Sequence, residues 1–429
     1  MLNKSKDFNP NYLAKIVEIK NLRKHENADR LQIAIIDFQN VVVGENTKVG
    51  DICAFFPVES AINSDFLSFT NSFRHEDLNK NKECKGFFED NCRVKAVKLR
   101  GEKSMGYLVP IKELEQFTNE SLSGFIGEEF DTIGKYLIVK KYFVPVKENT
   151  SLKQGKVSKR ISRLVENQFH FHIDTENLRR EVYKIKPEDE ISITYKVHGS
   201  SFIIANVLCK RKLNIFEKAL KRIGVKIQET EYDLLHASRK VIKNQFETQN
   251  TNDFYGYDMW ADIKEEIKEF NPKGYTLYGE IVGYTKEGKY IQNEYDYDCI
   301  QGKHKLFIYR ITFTNQDGLV YNLDTKEIQD YCDKYSLTYV PLFFKGKAKD
   351  LIPEIDINNH WHEDFIKYLE EHYNDKDCYI CNNKVPEEGI VIRKESQFEF
   401  EAYKLKSFRF LEYETAQLDK GIIDLESAN

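Results

Sequence analysis

No stretch of this chain approaches the ~18 consecutive apolar residues that a membrane-crossing helix needs. The opening residues, MLNKSKDFNPNY, lack the apolar core of a secretory signal. The protein is therefore expected to be cytoplasmic or otherwise intracellular, not secreted, with no membrane partner. Its eight cysteines follow no framework spacing, which suits a reducing compartment. Internal repeats and low-complexity tracts are missing too. Nor is there an excess of positive charge: the net charge is −5, so no global field draws in nucleic acid. What is present is apolar material for packed domains, 41% hydrophobic and 13% aromatic, in a chain of 429 residues. That length is too great for one ordinary core and points to two or three domains.

Charge is uneven along the chain. Residues 140–163, KKYFVPVKENTSLKQGKVSKRISR, hold eight Lys or Arg against the single acid Glu148. Such a run reads either as a solvated linker or, with Tyr142 and Phe143 interleaved, as a surface that tracks a nucleic-acid backbone. It divides the chain into an N-terminal unit (1–140), a basic linker (141–164) and a C-terminal unit (165–429). Cys378 and Cys381 form the one C-x-x-C pair, with His360 and His362 upstream. A zinc site from these four is conceivable; two ordinary thiols in a turn are the commoner outcome.

The first unit is a succession of short β-type runs cut by Gly, Pro and Asn: YLAKIVEIKNL, RLQIAIIDF, NVVVG, DICAFFPV, NCRVKAVKLRG and GYLVPI. This is the pattern of a small Greek-key barrel. In NLRKHENADRLQIAIID, Asn27 and Asp29 shape a tight polar loop, and Leu31, Ile33 and Ile35 are expected to alternate into the barrel. The second unit mixes element types, giving an α+β chain overall. Strands are predicted at 191–196, 201–208, 275–283, 305–313, 389–394 and 400–406. Helices are predicted near 214–223, 233–247, 261–269, 325–335 and 362–372. The last residues, from 413, form a polar tail or a final helix.

Chemistry gathers in the second unit. TYKVHGSS (194–201) puts Lys196 at the end of an apolar strand, three residues before Gly199. A lysine there is either a solvated turn residue or a nucleophile held where a phosphate can reach it. Four later clusters carry what such a nucleophile needs. Ser238-Arg239 offers a guanidinium for phosphate or ribose oxygens. Glu280, in YGEIVG, would hold a ribose hydroxyl or a water of a hydrated Mg²⁺. In KLFIYRITF, Phe307, Tyr309, Ile311 and Phe313 share one strand face; such a face packs in a core by default, and an aromatic near the strand's end can instead stack on a purine. Finally, Glu388-Gly389 opens an apolar strand, and Lys404 and Lys406 point to one face of the next, a pairing that an intervening anion would relieve.

In order these segments read K-x-H-G, S-R, Y-G-E, F-x-Y, E-G-I-V and K-x-K. The set resembles motifs I, Ia, III, IIIa, IV and V of the covalent nucleotidyltransferases, the polynucleotide ligases and mRNA capping enzymes. The segment His25, Asn27, Ala28, Asp29, Leu31 likewise resembles the H-x-N-A-D-x-L loop of tRNA-binding OB folds. Together they resemble the ATP-dependent RNA ligases that carry an OB-fold domain before the nucleotidyltransferase domain. DNA ligases and capping enzymes place their OB domain after motif V, where only 23 residues follow Lys406 here.

The resemblance implies an N-terminal OB-like barrel and a nucleotidyltransferase domain of antiparallel sheets flanked by helices. It implies ATP and Mg²⁺ (or Mn²⁺) as cofactors. The implied activity joins RNA 5′-phosphate and 3′-OH ends through lysyl-AMP and RNA-adenylate, as in repair of a nicked duplex, by a monomer. It makes Lys196 the nucleophile, with Lys404 and Lys406 on the α-phosphate. Arg239, Thr194, Gly199, Glu280, Phe307, Tyr309 and Glu388 would bind the nucleotide. Phe307 is the expected adenine stack, with Tyr309 in reserve. Glu280 and Glu388 would carry the metal through water. Two departures stand out: His198 occupies a position where many ligases have an acid, and Tyr195 stands where an acid often helps read adenine. The competing readings are a GTP-dependent capping-type nucleotidyltransferase and a non-catalytic OB-fold RNA-binding protein.

Overall fold

Antiparallel pairing of short alternating strands builds the first hundred residues. A computed structural model of the protein describes residues 1–144, 163–243 and 257–422. In its N-terminal part, β1 (Ala14–Glu18) pairs antiparallel with β5 (Ile52–Phe56), which pairs with β6 (Tyr107–Pro110). The strands β2 (Asn21–Lys24), β3 (Leu31–Ile36) and β4 (Gln39–Gly44) form a meander beside them. Alternation along β1 and β5 feeds two cores. Ile16, Ala54 and Phe56 face Phe66, Leu114 and Phe130, while Val17, Cys53 and Phe55 face Ala34 and Val41.

The expected inward alternation fails at Ile35, which is 39% exposed. Ala34 and Ile36 take the core positions instead, and Ile35 lies opposite Asn21 and Asn40. In the polar loop expected to be shaped by Asn27 and Asp29, the side-chain bonds come from His25 and Asn27. Buried His25 bonds through Nε2 to the Leu99 carbonyl, and the Asn27 amide donates to His25 Nδ1.

Two sheets make up the C-terminal part. One orders β14 (Glu401–Lys406), β13 (Gly389–Lys394), β7 (Glu190–Tyr195) and β12 (Leu342–Lys347), with the short strand Glu176–Asn177 parallel to β14 at its edge. The other orders β9 (Thr230–Ala237), β8 (Ser200–Lys210), β10 (Tyr275–Gly283) and β11 (His304–Thr314). Helices α1 (Ile215–Arg222), α2 (Met259–Ile267), α3 (Thr325–Tyr335), α4 (Trp361–Tyr373) and α5 (Phe408–Asp419) follow in chain order. Apolar faces of α2 and α3 cover the second sheet, with Ile263 and Ile328 against Ile204, Leu277 and Ile311. On the first sheet, Trp361 and Phe365 of α4 pack over Ile191, Ile193 and Ile392.

The helix expected at 233–247 is not formed over its described part, because Thr230–Ala237 is strand β9, paired residue for residue with Ile203–Lys210. Pairing with an eleven-residue neighbour overrides the local helical pattern. Residues 244–247 of that expectation lie outside the described residues, as does 145–162 of the basic stretch. The two parts dock through charged contacts. Arg180 reaches the Leu13 carbonyl and Glu129, and Arg93 pairs with Asp419 of α5.

Candidate active site

The nucleophile candidate is placed by a strand ending and two glycines. Residues of β7 alternate, so Ile191, Ile193 and Tyr195 enter the cores while Ser192, Thr194 and Lys196 line a cavity of about 480 Å³. Gly199, just after the turn, permits close approach to β10: a Cβ there would stand 2.5 Å from the Ile281 carbonyl oxygen. Gly389 is tighter, with φ +136° and its Cβ position 2.0 Å from the Leu405 carbonyl oxygen. That glycine brings β13 against β14 where the Lys196 amide donates to the Gly389 carbonyl at 2.9 Å.

Strand register then arranges the cavity floor as a ladder. Thr194 is paired with Val391, and Val391 with Lys404; one step deeper, Ser192 is paired with Arg393, and Arg393 with Ala402. At the open end, Lys406 is opposite Gly389, beside Lys196. Three lysines thus share one cavity wall with Glu388. Lys196 Nζ is 2.7 Å from Glu388 Oε1, and Lys406 Nζ is 4.0 Å from the same oxygen. Glu280 of β10 and Tyr309 of β11 come from the other sheet, and Arg239 closes one side.

The electrostatics divide the lysines. Burial would lower the Lys406 ammonium, but Glu414, Glu59 and Glu388 outweigh it and hold it well above the ordinary lysine value. At Lys404 the one opposing carboxylate, Asp174, is outweighed. Burial, then repulsion from Lys406 and Lys196, pushes the lysine down to about 7. A site of this kind favours an anion between the lysines.

Phe307 shares its sheet face with Glu280 across the β10–β11 pair. Its ring is buried against Tyr297, centroids 6.1 Å apart, whereas Tyr309 lines the cavity itself. The Tyr195 ring is buried and packs edge-on to Tyr379 and Phe343. At the deep end the polar groups are Ser192 Oγ and the Nε and Nη1 of Arg393, buried with no hydrogen-bond partner. These are donors suited to acceptor atoms on a base edge.

Several cavity residues carried no legible signal. Glu59, from the N-terminal part, has φ 66°, an uncommon conformation for a glutamate. Its carboxylate is 3.6 Å from Lys406 Nζ and accepts from Tyr12 Oη at 3.3 Å. Burial would raise the Glu59 carboxyl, but Lys406 and the hydrogen bond with Glu414 prevail and bring it to about 2. Glu414 of α5 lies 3.0 Å from Lys406. The segment before β7 adds His172 and Asp174. His172 Nδ1 bonds Tyr309 Oη at 2.9 Å, and burial with the nearby Arg239 pushes its imidazole down to about 3, so it is neutral. Asp174 Oδ1 accepts from Arg239 Nη2 at 2.5 Å. The run FHFHID, with two histidines and an acid in alternation, was the available clue for this pair.

The carboxylates of Glu280 and Glu388 fit a hydrated divalent cation, which binds through oxygen and keeps several waters. Glu388 Oε2 is buried without a hydrogen-bond partner, an acceptor left over after Lys196 is served. Among the described residues no three metal-ligating side chains converge. The four-residue zinc site is therefore not formed. His362 bonds the Ile185 carbonyl, His360 pairs with Glu363, and Cys378 and Cys381 are free thiols.

Comparison with known proteins agrees with this geometry. An OB-fold domain family matches residues 13–111, and the family described as RNA ligase matches residues 189–409, more than half of the chain. No curated protein matches. Among solved structures, the Naegleria gruberi RNA ligase with PPi is 16% identical at a TM-score of 0.57, covering 94% of this chain and 99% of that one. A mutant of the same Naegleria enzyme with ATP and Mn gives 17% and 0.58, covering 94% and 99%. A further mutant with AMP and Mn gives 16% and 0.57, covering 94% and 98%. At these identities the likeness is one of fold, and it extends through both parts of the chain. With its ligase segment matched over Lys196 to Lys406 and an OB-fold domain in front, this chain belongs to the RNA ligase family.

Proposed function

We propose that the protein is an ATP-dependent RNA ligase that joins 5′-phosphate and 3′-OH ends through lysyl-AMP and RNA-adenylate. The observation that carries this reading is the convergence of Lys196, Lys404, Lys406, Glu280 and Glu388 on one cavity. The solved relative's complexes with ATP, AMP, Mn and PPi support the choice of nucleotide and of a divalent metal.

In the first step the Lys196 Nζ lone pair attacks the α-phosphorus of ATP. A P–N bond forms, the bond to the β-phosphate bridging oxygen breaks, and pyrophosphate leaves. The amine attacks only when uncharged, and Glu388 Oε1, 2.7 Å away, is placed to take its proton. Lys404 and Lys406 stabilise charge on the phosphate oxygens, fixed in place before reaction. A bound Mg²⁺ or Mn²⁺, held through water by Glu280 and Glu388, would supply further charge neutralisation. Tyr309 faces the base and Val391 the opposite side from the floor. Thr194 and the donors of Ser192 and Arg393 approach its edge. In the second step an oxygen of the RNA 5′-phosphate attacks the same phosphorus, the P–N bond breaks, and Lys196 is regenerated. In the third, the 3′-OH oxygen attacks the 5′-phosphorus, AMP leaves and a phosphodiester forms. Arg239, at the cavity mouth, is placed to receive the incoming 5′-phosphate.

Two measurements test this. Incubation with α-labelled ATP or GTP, followed by denaturing electrophoresis, should label the protein from ATP; labelling from GTP alone would select the capping-type reading. RNA 5′-phosphate and 3′-OH ends, presented at nicks in duplexes with RNA or DNA on each strand or as single strands, should then be joined. Absence of sealing with intact labelling would overturn the ligase assignment.

A further inference from the structure

Beside the reacting cavity lies a second one of about 410 Å³, continuous with it through Tyr12, Lys141, Phe143, Asp174 and Arg239. It runs out from Arg239 and Lys240 onto the N-terminal part, between the segment at residues 5–9 and the strand end at 140–143. Its chemistry differs from that of the first. Lys6, Lys140 and Lys240 are exposed along it, and so are two phenylalanines: Phe8 at 43% and Phe143 at 53%. Each ring has a lysine ammonium close by, Lys4 at 5.7 Å from the Phe8 centroid and Lys141 at 5.4 Å from Phe143.

Two exposed rings in one groove are poor folding material, since a core would have buried them. Rings interleaved with lysines are what a single-stranded nucleic acid requires: cations for the phosphates and flat apolar faces for unstacked bases. Lys6, Phe8, Lys140, Phe143, Arg239 and Lys240 all lie outside residues 13–111, the segment matched as an OB fold. Of the groove's lining only Leu13 falls within that matched segment. Its position also has meaning. A strand lying in it would reach the three lysines by passing Arg239.

We propose that this groove binds the RNA strand whose end enters the reacting cavity, with bases stacked on Phe8 and Phe143 and phosphates on Lys6, Lys140 and Lys240. The proposal rests on the ligase reading above, and it adds that the strand is held single-stranded over the last nucleotides before the reacting end. Uniform duplex binding through phosphates alone would need the lysines but leave the rings without a role.

The test uses the full chain and a fluorescein-labelled, 5′-phosphorylated oligouridylate, with binding followed by anisotropy. Phe8→Ala/Phe143→Ala should weaken binding by at least about twenty-fold, taking one stacked base as about five-fold or more per ring. Lys6→Gln/Lys140→Gln should lower the slope of log K against log salt by about 1.4, for two phosphates released from a single strand. The lysine variant should still take label from ATP; because Phe143 also lines the reacting cavity, the phenylalanine variant is shown to be folded by an unchanged urea unfolding midpoint. If the wild type takes no label, the ligase reading fails, whatever the binding shows. If the wild type takes label and the phenylalanine variant binds within two-fold of wild type, the stacking groove is refuted. If the lysine variant keeps the full salt slope, the strand path is refuted.

Discussion

Replacing Lys404 with methionine should stabilise the protein while disabling it. Lys404 is pushed down to about 7 from the ordinary 10.5, by burial first and by Lys406 and Lys196 next. Below about pH 7 the folded protein must therefore carry an ammonium that its surroundings oppose. The sign follows from proton counts. Between about pH 7 and 10.5 the unfolded chain holds a proton on this lysine that the folded chain lacks, so stability rises with pH across that window. At 1.36 kcal/mol per unit, the penalty below the window is about 3–5 kcal/mol, the lower figure allowing for the side chain's contact with the cavity. Methionine fills similar volume without the charge. Lys404→Met should thus raise stability to denaturant by that amount at about pH 6, with the difference vanishing near pH 10.5.

A bound nucleotide phosphate reverses the penalty, because the anion favours the ammonium. Binding of AMP at about pH 8 should then draw about 0.9 of a proton onto Lys404, and almost none at about pH 6. Titration calorimetry in buffers of different ionisation enthalpy measures this directly. Equal proton uptake by wild type and Lys404→Met at the higher pH, or a methionine variant no more stable than wild type at the lower, would refute the electrostatic account of this wall.

Other substitutions separate the remaining roles. Tyr309→Ala should weaken ATP binding by about five-fold to a hundred-fold, the loss of one stacked base, whereas Phe307→Leu should change it little; equilibrium binding of a fluorescent ATP analogue distinguishes them. Glu388→Gln should reduce the rate of protein labelling by ATP at least about a hundred-fold, since it removes the proton acceptor beside Lys196; labelling at the wild-type rate would count against that role. Gly389→Ala meets the Leu405 carbonyl oxygen at 2.0 Å in a backbone conformation of φ +136°. It should destabilise the fold by about 3 kcal/mol or more in urea unfolding.

Much of the site was legible because its residues sit on long strands whose period-2 pattern is intrinsic. Predicted strands at 191–196, 275–283 and 389–394 correspond to observed Glu190–Tyr195, Tyr275–Gly283 and Gly389–Lys394. With those in place, Lys196, Glu280, Glu388, Lys404 and Lys406 line one cavity. The failures are tertiary. The start of the helix expected at 233–247, DLLHA, is strand because β8 pairs with Thr230–Ala237 over eight residues. Phe307 and Tyr309 share a face by spacing, but the β10–β11 register shifts at Tyr309 and Tyr297 packs against Phe307, so one ring is buried and the other lines the cavity. Glu59 could not have been found from pattern at all. It is an acid after a short strand, more than 300 residues before Lys406, and only the docking of the two parts brings them to 3.6 Å.

The central claim is that the amine of Lys196 becomes bonded to the α-phosphorus of ATP. Intact-mass analysis after incubation with ATP and Mg²⁺, followed by peptide mapping, tests it most directly. One added AMP, carried on the peptide containing Lys196 and absent from Lys196→Ala, is the predicted result. An AMP adduct on another residue, or one that survives the Lys196→Ala substitution, would contradict it.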